Sequence, residues 1–401
     1  MTTGFWQPQR QLLAANYLFY FAIQGLTVPF MGIYLDLRGF HAPEIGSLMA
    51  VQMATAMISP YLWASLADAT GRRALVAKSG LALALVGFSG LFLAQGFWST
   101  AAALVAFSFC WSGILAQLEV LTLSSLKPRT ELYSKVRSWG SVGYLAMVIV
   151  AGWAFDQWDA GLLPWIGVAV LGAMLWFTLA LNNGNGETAE VSKGSWQGVH
   201  WPKVLLYLLF AFSLNASHGA YYGFYVLYLQ TLGIGESVAG LLVASGVLAE
   251  VALFALMPRL LRRVSLDRLM IACALLALMR WFITSQMVTP LGQLPAQLLH
   301  AASFALAHAC AMQFIHHEFH PGIQGRVQAL YGSLAFSGGG ALGIYLSGHL
   351  WAEQPERVWQ LAMALALVSL VAAGLSRACS YNLRVASPGG QESPCPESAV
   401  S

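Results

Sequence analysis

The sequence predicts an all-α integral membrane protein of twelve transmembrane helices in two six-helix halves, and three observations carry that prediction. Of its 401 residues, 58% are hydrophobic and only 9% charged, too few charges to cover the water-facing surface of so long a chain. The apolar residues fall into runs near the ~20 residues that cross a bilayer. A polar stretch rich in Gly, Asn and Ser, from Asn182 to Pro202, parts those runs six from six.

In order, the expected spans are Leu12 to Leu35, Ile45 to Ala67, Ala74 to Ala94, Thr100 to Leu123, Leu132 to Phe155 and Leu162 to Leu181. After the polar stretch come Val204 to Leu229, Ser237 to Leu256, Leu266 to Val288, Leu294 to Ile315, Val327 to Leu350 and Val358 to Leu375. Residues 1–181 and 203–384 are thus the two halves, 182–202 a cytoplasmic linker, and 385–401 a Pro/Ser/Gly-rich tail read as disordered. The opening MTTGFWQPQR lacks a cleavable signal pattern, so the first run is expected to remain a span. Five cysteines without paired or metal-type spacing read as apolar fillers or tail thiols.

Orientation follows from the basic residues. With both termini cytoplasmic, sixteen of the twenty Lys and Arg lie in inner loops and ends, and only Arg38 and Arg357 lie outside. Arg137 and Arg280 are left within the membrane. So strong a bias sets the topology expected for a multi-pass protein of a bacterial-type inner membrane.

One hairpin organises the first half. Glu119 and Arg137 each lie nine positions from Pro128, the expected turn, so antiparallel helices would bring them to one depth. A lone charge in the bilayer costs roughly 2.5–3.5 kcal/mol on insertion scales, so opposite charges at matching depth should face each other or a wet cavity. They are either a structural ion pair or a binding and proton-coupling pair.

Twelve spans divided six and six resemble the major facilitator superfamily, whose halves rock about a central site. The segment Ala64-Ser-Leu-Ala-Asp68-Ala-Thr-Gly71-Arg72-Arg73 is similar to that superfamily's signature between helices 2 and 3, with Ala64 in place of the usual Gly and Ala69 in place of a basic residue. Asp68 can cap the next helix or pair with a nearby base, and Gly71 permits a tight turn, so Asp68, Gly71, Arg72 and Arg73 are expected to form a gating loop. The first span NYLFYFAIQGLTVPFMGIYL, the string KVRSWGSVGY, the stretch ASHGAYYGFYVLYL and LMRW resemble the phenylpropionate permease family, related to lactose permease and nucleoside:proton symporters. The resemblance runs from about Asn16 to about Gly348. It implies that Arg137 is that string's basic residue and that Glu119 is the family's acidic residue in helix 4. Ala56 stands where some aromatic-acid carriers of the family have an arginine, which weighs against an aromatic carboxylate.

The second half adds Glu250, Arg280, His300 and His308 within apolar runs. Depth counting sets Glu250 level with His308, and Arg280 level with His300 nearer the outside, the latter two either binding a substrate carboxylate or packing or pairing with Glu250. Buried Glu and His can exchange protons, so Glu119, Glu250 and His308 are the expected proton-coupling residues, with interhelical hydrogen bonding as the plainer reading. His218, Tyr221, Tyr222 and Tyr225 form an i, i+3, i+4, i+7 stripe, and Tyr17, Tyr20, Gln24 and Thr27 a similar one, either cavity lining or an interfacial belt. The expected substrate-binding set is Arg137, Arg280, His300, Tyr20, Gln24, His218, Tyr221 and Tyr222. The run His316-His-Glu-Phe-His320 has one spacer where a zinc-protease helix needs two, so no metal or other cofactor is expected.

No nucleophile motif or nucleotide loop argues for an enzyme, and dispersed basic residues argue against nucleic-acid binding. The expectation is a monomeric secondary transporter in the lipid bilayer, coupling protons to symport of a small organic solute such as an aromatic acid, a sugar or a nucleoside. A proton-driven exporter of drugs or metabolites is the alternative, and a non-transporting receptor a more distant one.

Overall fold

The computed structural model describes residues 8–126, 129–182, 195–196 and 199–386. The expected turn at Pro128, most of the expected linker and the tail from residue 387 lie outside the described residues. Every regular element among those described is helical.

Six helices come first: α1 (Pro8–Leu37), α2 (Ala42–Thr70), α3 (Arg73–Phe92), α4 (Phe97–Leu126), α5 (Tyr133–Gln157) and α6 (Ala160–Leu179). Then come α7 (Trp201–Thr231), α8 (Glu236–Arg263), α10 (Pro290–Glu318) and α11 (Pro321–Trp351), with α9 (Leu266–Gln286) before α10 and α12 (Arg357–Ala386) last. Eleven are long and apolar enough to cross a membrane. The twelfth helix, α9, has 21 residues and carries Arg280 in its last turns. With it the count is the expected twelve.

Sequence-local chemistry sets the ends. Glu44 accepts from the His41 N–H at 2.9 Å to start α2, and the Thr289 hydroxyl accepts from the Gly292 N–H at 3.2 Å to start α10. Gly71 ends α2 at φ +64°, a left-handed conformation that favours glycine. Asp68 pairs with Arg73 and caps nothing, since α3 begins after Arg72 without a side-chain cap. Arg73 also donates to Gln117 Oε1 of α4 at 3.1 Å, tying the loop to the first half.

Several helices are broken in mid-course. The α2 backbone turns at Ala56 to Ile58, α4 at Ser112 and Gly113, and α7 at His218. Two segments wind as π-helix, Ala301–Leu306 in α10 and Tyr331–Gly338 in α11. Irregular backbone at membrane depth is tolerated where it lies inside protein or lines a cavity.

The bundle has two ends: a terminal face, where α1 starts and α12 finishes, and a distal face opposite. The halves meet chiefly through three helix pairs, α1 with α7, α2 with α11 and α5 with α8. These contacts concentrate toward the distal face: α2 packs along Gly339–Trp351, and α1 along Gly219–Thr231. A Cβ on Gly46 would sit 2.9 Å from the Gly348 Cα, and one on Gly152 2.6 Å from the Glu236 carbonyl oxygen, so only glycine permits these approaches. The Ser237 hydroxyl of α8 adds a hydrogen bond to Asp156 of α5 at 2.8 Å. Toward the terminal face the halves part. Tyr61, Leu62 and Leu66 of α2 are exposed there, and Tyr61 reaches Ser333 of α11 at only 3.5 Å.

Candidate functional site

The densest group of buried polar side chains lies in the second half, where the breaks in α7 and α10 face α9. Arg280 is fully buried between two rings, with its guanidinium carbon 4.3 Å from the centroid of Tyr221 and 4.3 Å from that of Trp281. These faces supply cation–π attraction in a dry setting. Its Nη1 donates to the Ser303 hydroxyl at 3.2 Å, while Nε and Nη2 have no partner among the described residues.

Ser303 joins this arginine to a histidine. His218 sets Nδ1 2.8 Å from the Leu214 carbonyl. A carbonyl only accepts, so Nδ1 carries the proton, and Nε2 lies within hydrogen-bond distance of the Ser303 hydroxyl, at 3.2 Å. The break at His218 places the ring there, and Trp281 is held beside it by its indole N–H, which donates to Ser217 at 3.1 Å.

Glu250 of α8 is taken by His300, Oε1 to Nε2 at 2.7 Å, both largely buried. Depth counting from the sequence paired Glu250 with His308; the structure corrects this. The helix begins at Pro290 and not at the expected Leu294, which sets His300 about one turn deeper than counted, and the π-helical turns after it re-aim His308. His308 lies instead beside Tyr331, ring centroids 5.9 Å apart, on a separate cleft.

Further polar groups surround Tyr221. Its hydroxyl donates to Gln297 Oε1 at 3.0 Å, and Gln297 Nε2 and His300 Nδ1 are buried without partners. Tyr221 also faces a narrow cleft between the halves, lined by Tyr144 of α5, Tyr222 and Tyr225 of α7, and Val28 and Pro29 of α1. The three tyrosines of the α7 stripe thus border the space between the halves, while His218 points toward Ser303. Tyr144, Gln297 and Ser303 were not anticipated, although Gln293, Gln297 and His300 recur at i, i+4 and i+7 on one face of α10, with Ser303 three residues beyond.

In the first half, Glu119 and Arg137 do approach each other, but loosely: Oε1 to Nε is 4.0 Å, and both side chains are partly exposed. Arg137 is four residues from the start of α5, so the pair lies near the terminal face and not at mid-depth. Its guanidinium carbon is 4.1 Å from the centroid of Phe21 and 5.3 Å from that of Tyr17, both on α1. Tyr20 does not face the central cleft; it is buried and stacked on Trp111 of α4 at 4.3 Å. Gln24 is likewise absent from the cleft lining. Among the histidines near Glu318, His317 is 2.8 Å from the Gln313 amide, and His320 accepts from the Gly322 N–H at 3.2 Å to start α11.

The profile of the MFS_1 like family matches residues 11–361. The chain belongs to this family. Among curated proteins, this MFS_1 like chain is 27% identical over 376 residues to one described as a probable 3-phenylpropionic acid transporter from Escherichia coli K12, covering 89% of this chain and 95% of that one. It is 23% identical over 363 residues to the maltose permease of Geobacillus stearothermophilus, covering 88% and 90%. Among solved structures, the nucleoside transporter NupG superposes with a TM-score of 0.79 at 16% identity, covering 92% of this chain and 98% of that one. The protein is a multi-pass membrane transporter of the major facilitator type, as its relatives are, and not an enzyme.

Proposed function

We propose that this MFS_1 like protein is a monomeric secondary active transporter of the inner membrane that carries a small organic anion together with protons. The observation behind this reading is the set of bare buried donors around Arg280: its own Nε and Nη2 and Gln297 Nε2. An unpartnered buried donor costs about 1–3 kcal/mol and a buried charge more. The nearby carboxylate, Glu250, is engaged by His300, so a carboxylate brought in by the solute would complete the group. Tyr221, between Arg280 and the cleft, offers its ring to an aromatic or planar solute. The relative named for 3-phenylpropionic acid is consistent with such a cargo.

Glu250 with His300 would then bind the transported proton, because a neutral carboxylic acid releases His300 and relieves the desolvated pair. Glu119, with Arg137 near the terminal face, would return it. If the basic residues place both termini in the cytoplasm, the conformation described here faces inward, and the loop holding Asp68, Gly71, Arg72 and Arg73 is the hinge of the inner gate.

A second reading, symport of a neutral sugar or nucleoside, draws on the hydroxyls of Tyr144, Tyr221, Tyr222 and Tyr225 in the central cleft. Proteoliposomes with an alkaline interior separate the two. Gradient-driven accumulation of phenylpropionate, but not of maltose or uridine, supports the anion reading. Accumulation of a neutral solute alone replaces it, and efflux of phenylpropionate against inward proton flow makes the protein an exporter.

A further inference from the structure

The contact that closes the distal face between α5 and α8 has an open continuation toward the terminal face. Main chains touch where a Cβ on Gly240 would sit 2.6 Å from the Val148 carbonyl oxygen and one on Gly152 3.3 Å from the Gly240 Cα. The two helices run antiparallel, so the faces that meet there recur about every 3.6 residues along both. Ser138 and Ser134 lie about four and five turns before Gly152, Val251 and Phe254 about three and four turns after Gly240, and all four are exposed. One line along each helix is thus sealed at its distal end and bare at its terminal end.

Opposite charges stand at the bare end. Glu131, in the turn Thr130–Leu132 that leads into α5, is 21 residues before Gly152, and Arg262, in the last turn of α8, is 22 residues after Gly240. Six helical turns take about 21.6 residues, so both positions return to the contacting face, at levels within about 1.5 Å of each other. Both residues are exposed, and neither has an ion-pair partner among the described residues. Between Arg129 and Arg137, and between Val251 and Arg263, Glu131 is the only carboxylate. Without it, only like charges would meet if these ends came together.

From this register we infer that Glu131 and Arg262 pair when the halves rock to the opposite conformation, and that the pair latches the terminal face as the glycine crossing now holds the distal one. Alternating access requires the two faces to close in turn. An attraction made in one conformation and absent from the other favours that conformation alone. The inference needs the halves to rock and takes nothing from the identity of the cargo.

The test uses the full-length chain in lipid nanodiscs, with Cys110, Cys379 and Cys395 changed to serine and spin labels on two introduced cysteines. Ala69→Cys marks the exposed end of α2, and Gly325→Cys the start of α11, where a Cβ would meet nothing within 4 Å. This label pair spans the parted face away from the latch, and the wild type is expected to show a long and a short distance. Glu131→Arg and Arg262→Glu should each lower the short-to-long ratio about fivefold, the upper range for an exposed ion pair. The double exchange should restore the ratio to within about twofold, a recovery that a folding defect would not give. Single variants at the wild-type ratio, a double exchange no better than either single, or a wild type without the short distance overturns the latch. None of these outcomes depends on which solute is carried, so the anion reading stands or falls apart from them.

Discussion

Glu250 gives its carboxylate to His300, 2.7 Å away, while Arg280 keeps two nitrogens bare. In a site this dry, opposite charges would ordinarily satisfy one another. Their separation divides the labour between a group that can take up a proton and a group that can only attract an anion.

Arg280→Lys keeps the charge and loses the planar fork that spans Ser303 and the bare donor positions. Uptake of phenylpropionate in proteoliposomes is expected to fall at least tenfold, about 1.4 kcal/mol in binding. Uptake equal to wild type would remove Arg280 from the binding group.

Glu250→Gln imitates the protonated acid and cannot release a proton. Exchange of labelled for unlabelled phenylpropionate should continue, while accumulation driven by an alkaline interior disappears. Wild-type accumulation rises as the outside is acidified, because protons then enter with the solute; the variant's stays flat. Full gradient-driven accumulation in the variant would place the coupling proton elsewhere.

Gly152→Val sets a side chain where a Cβ would already lie 2.6 Å from the Glu236 carbonyl oxygen. Overpacking of this kind costs about 1–3 kcal/mol, and it falls only on the conformation whose distal face is closed. Hydrogen–deuterium exchange at the distal ends of α5 and α8 should rise, with the remainder of the bundle protected as before. Unchanged exchange there would mean that the α5–α8 crossing does not close that face.

Asp68→Asn removes the ion pair with Arg73 while leaving the hydrogen bond from Arg73 to Gln117. The pair is partly exposed, so its loss should cost no more than about 1 kcal/mol of stability. A several-fold slower turnover at unchanged thermal stability is the outcome expected of a hinge. A drop in unfolding temperature with normal turnover would make the pair a fastening only.

The fold was readable because lipid demands it: a run of some twenty apolar residues has almost no alternative to a spanning helix, and polar punctuation counts the spans. The approach of Glu119 to Arg137 was readable too, since equal spacing about one turn survives any tilt of the hairpin. The pairing of Glu250 with His300 was only an alternative there, behind the level of His308 that depth counting favoured. Depth counting needs the true start of a span, and α10 begins at Pro290, ahead of the apolar run that starts at Leu294, so His300 lies deeper than its place in that run suggests. Ser303 and Gln297 escaped for another reason. A serine or glutamine in an apolar run hydrogen-bonds its own helix as readily as it serves a site, and only the neighbouring helices tell which.

The glycine crossings of Gly46 with Gly348 and of α5 with α8 press main chain against main chain. Prising such a seam apart wets carbonyls and very little hydrocarbon, so the two poses of the molecule differ by little heat capacity and little free energy. A swing this evenly weighted turns on the modest push of a captured solute, and its pace should depend only weakly on how greasy or thick the surrounding bilayer is.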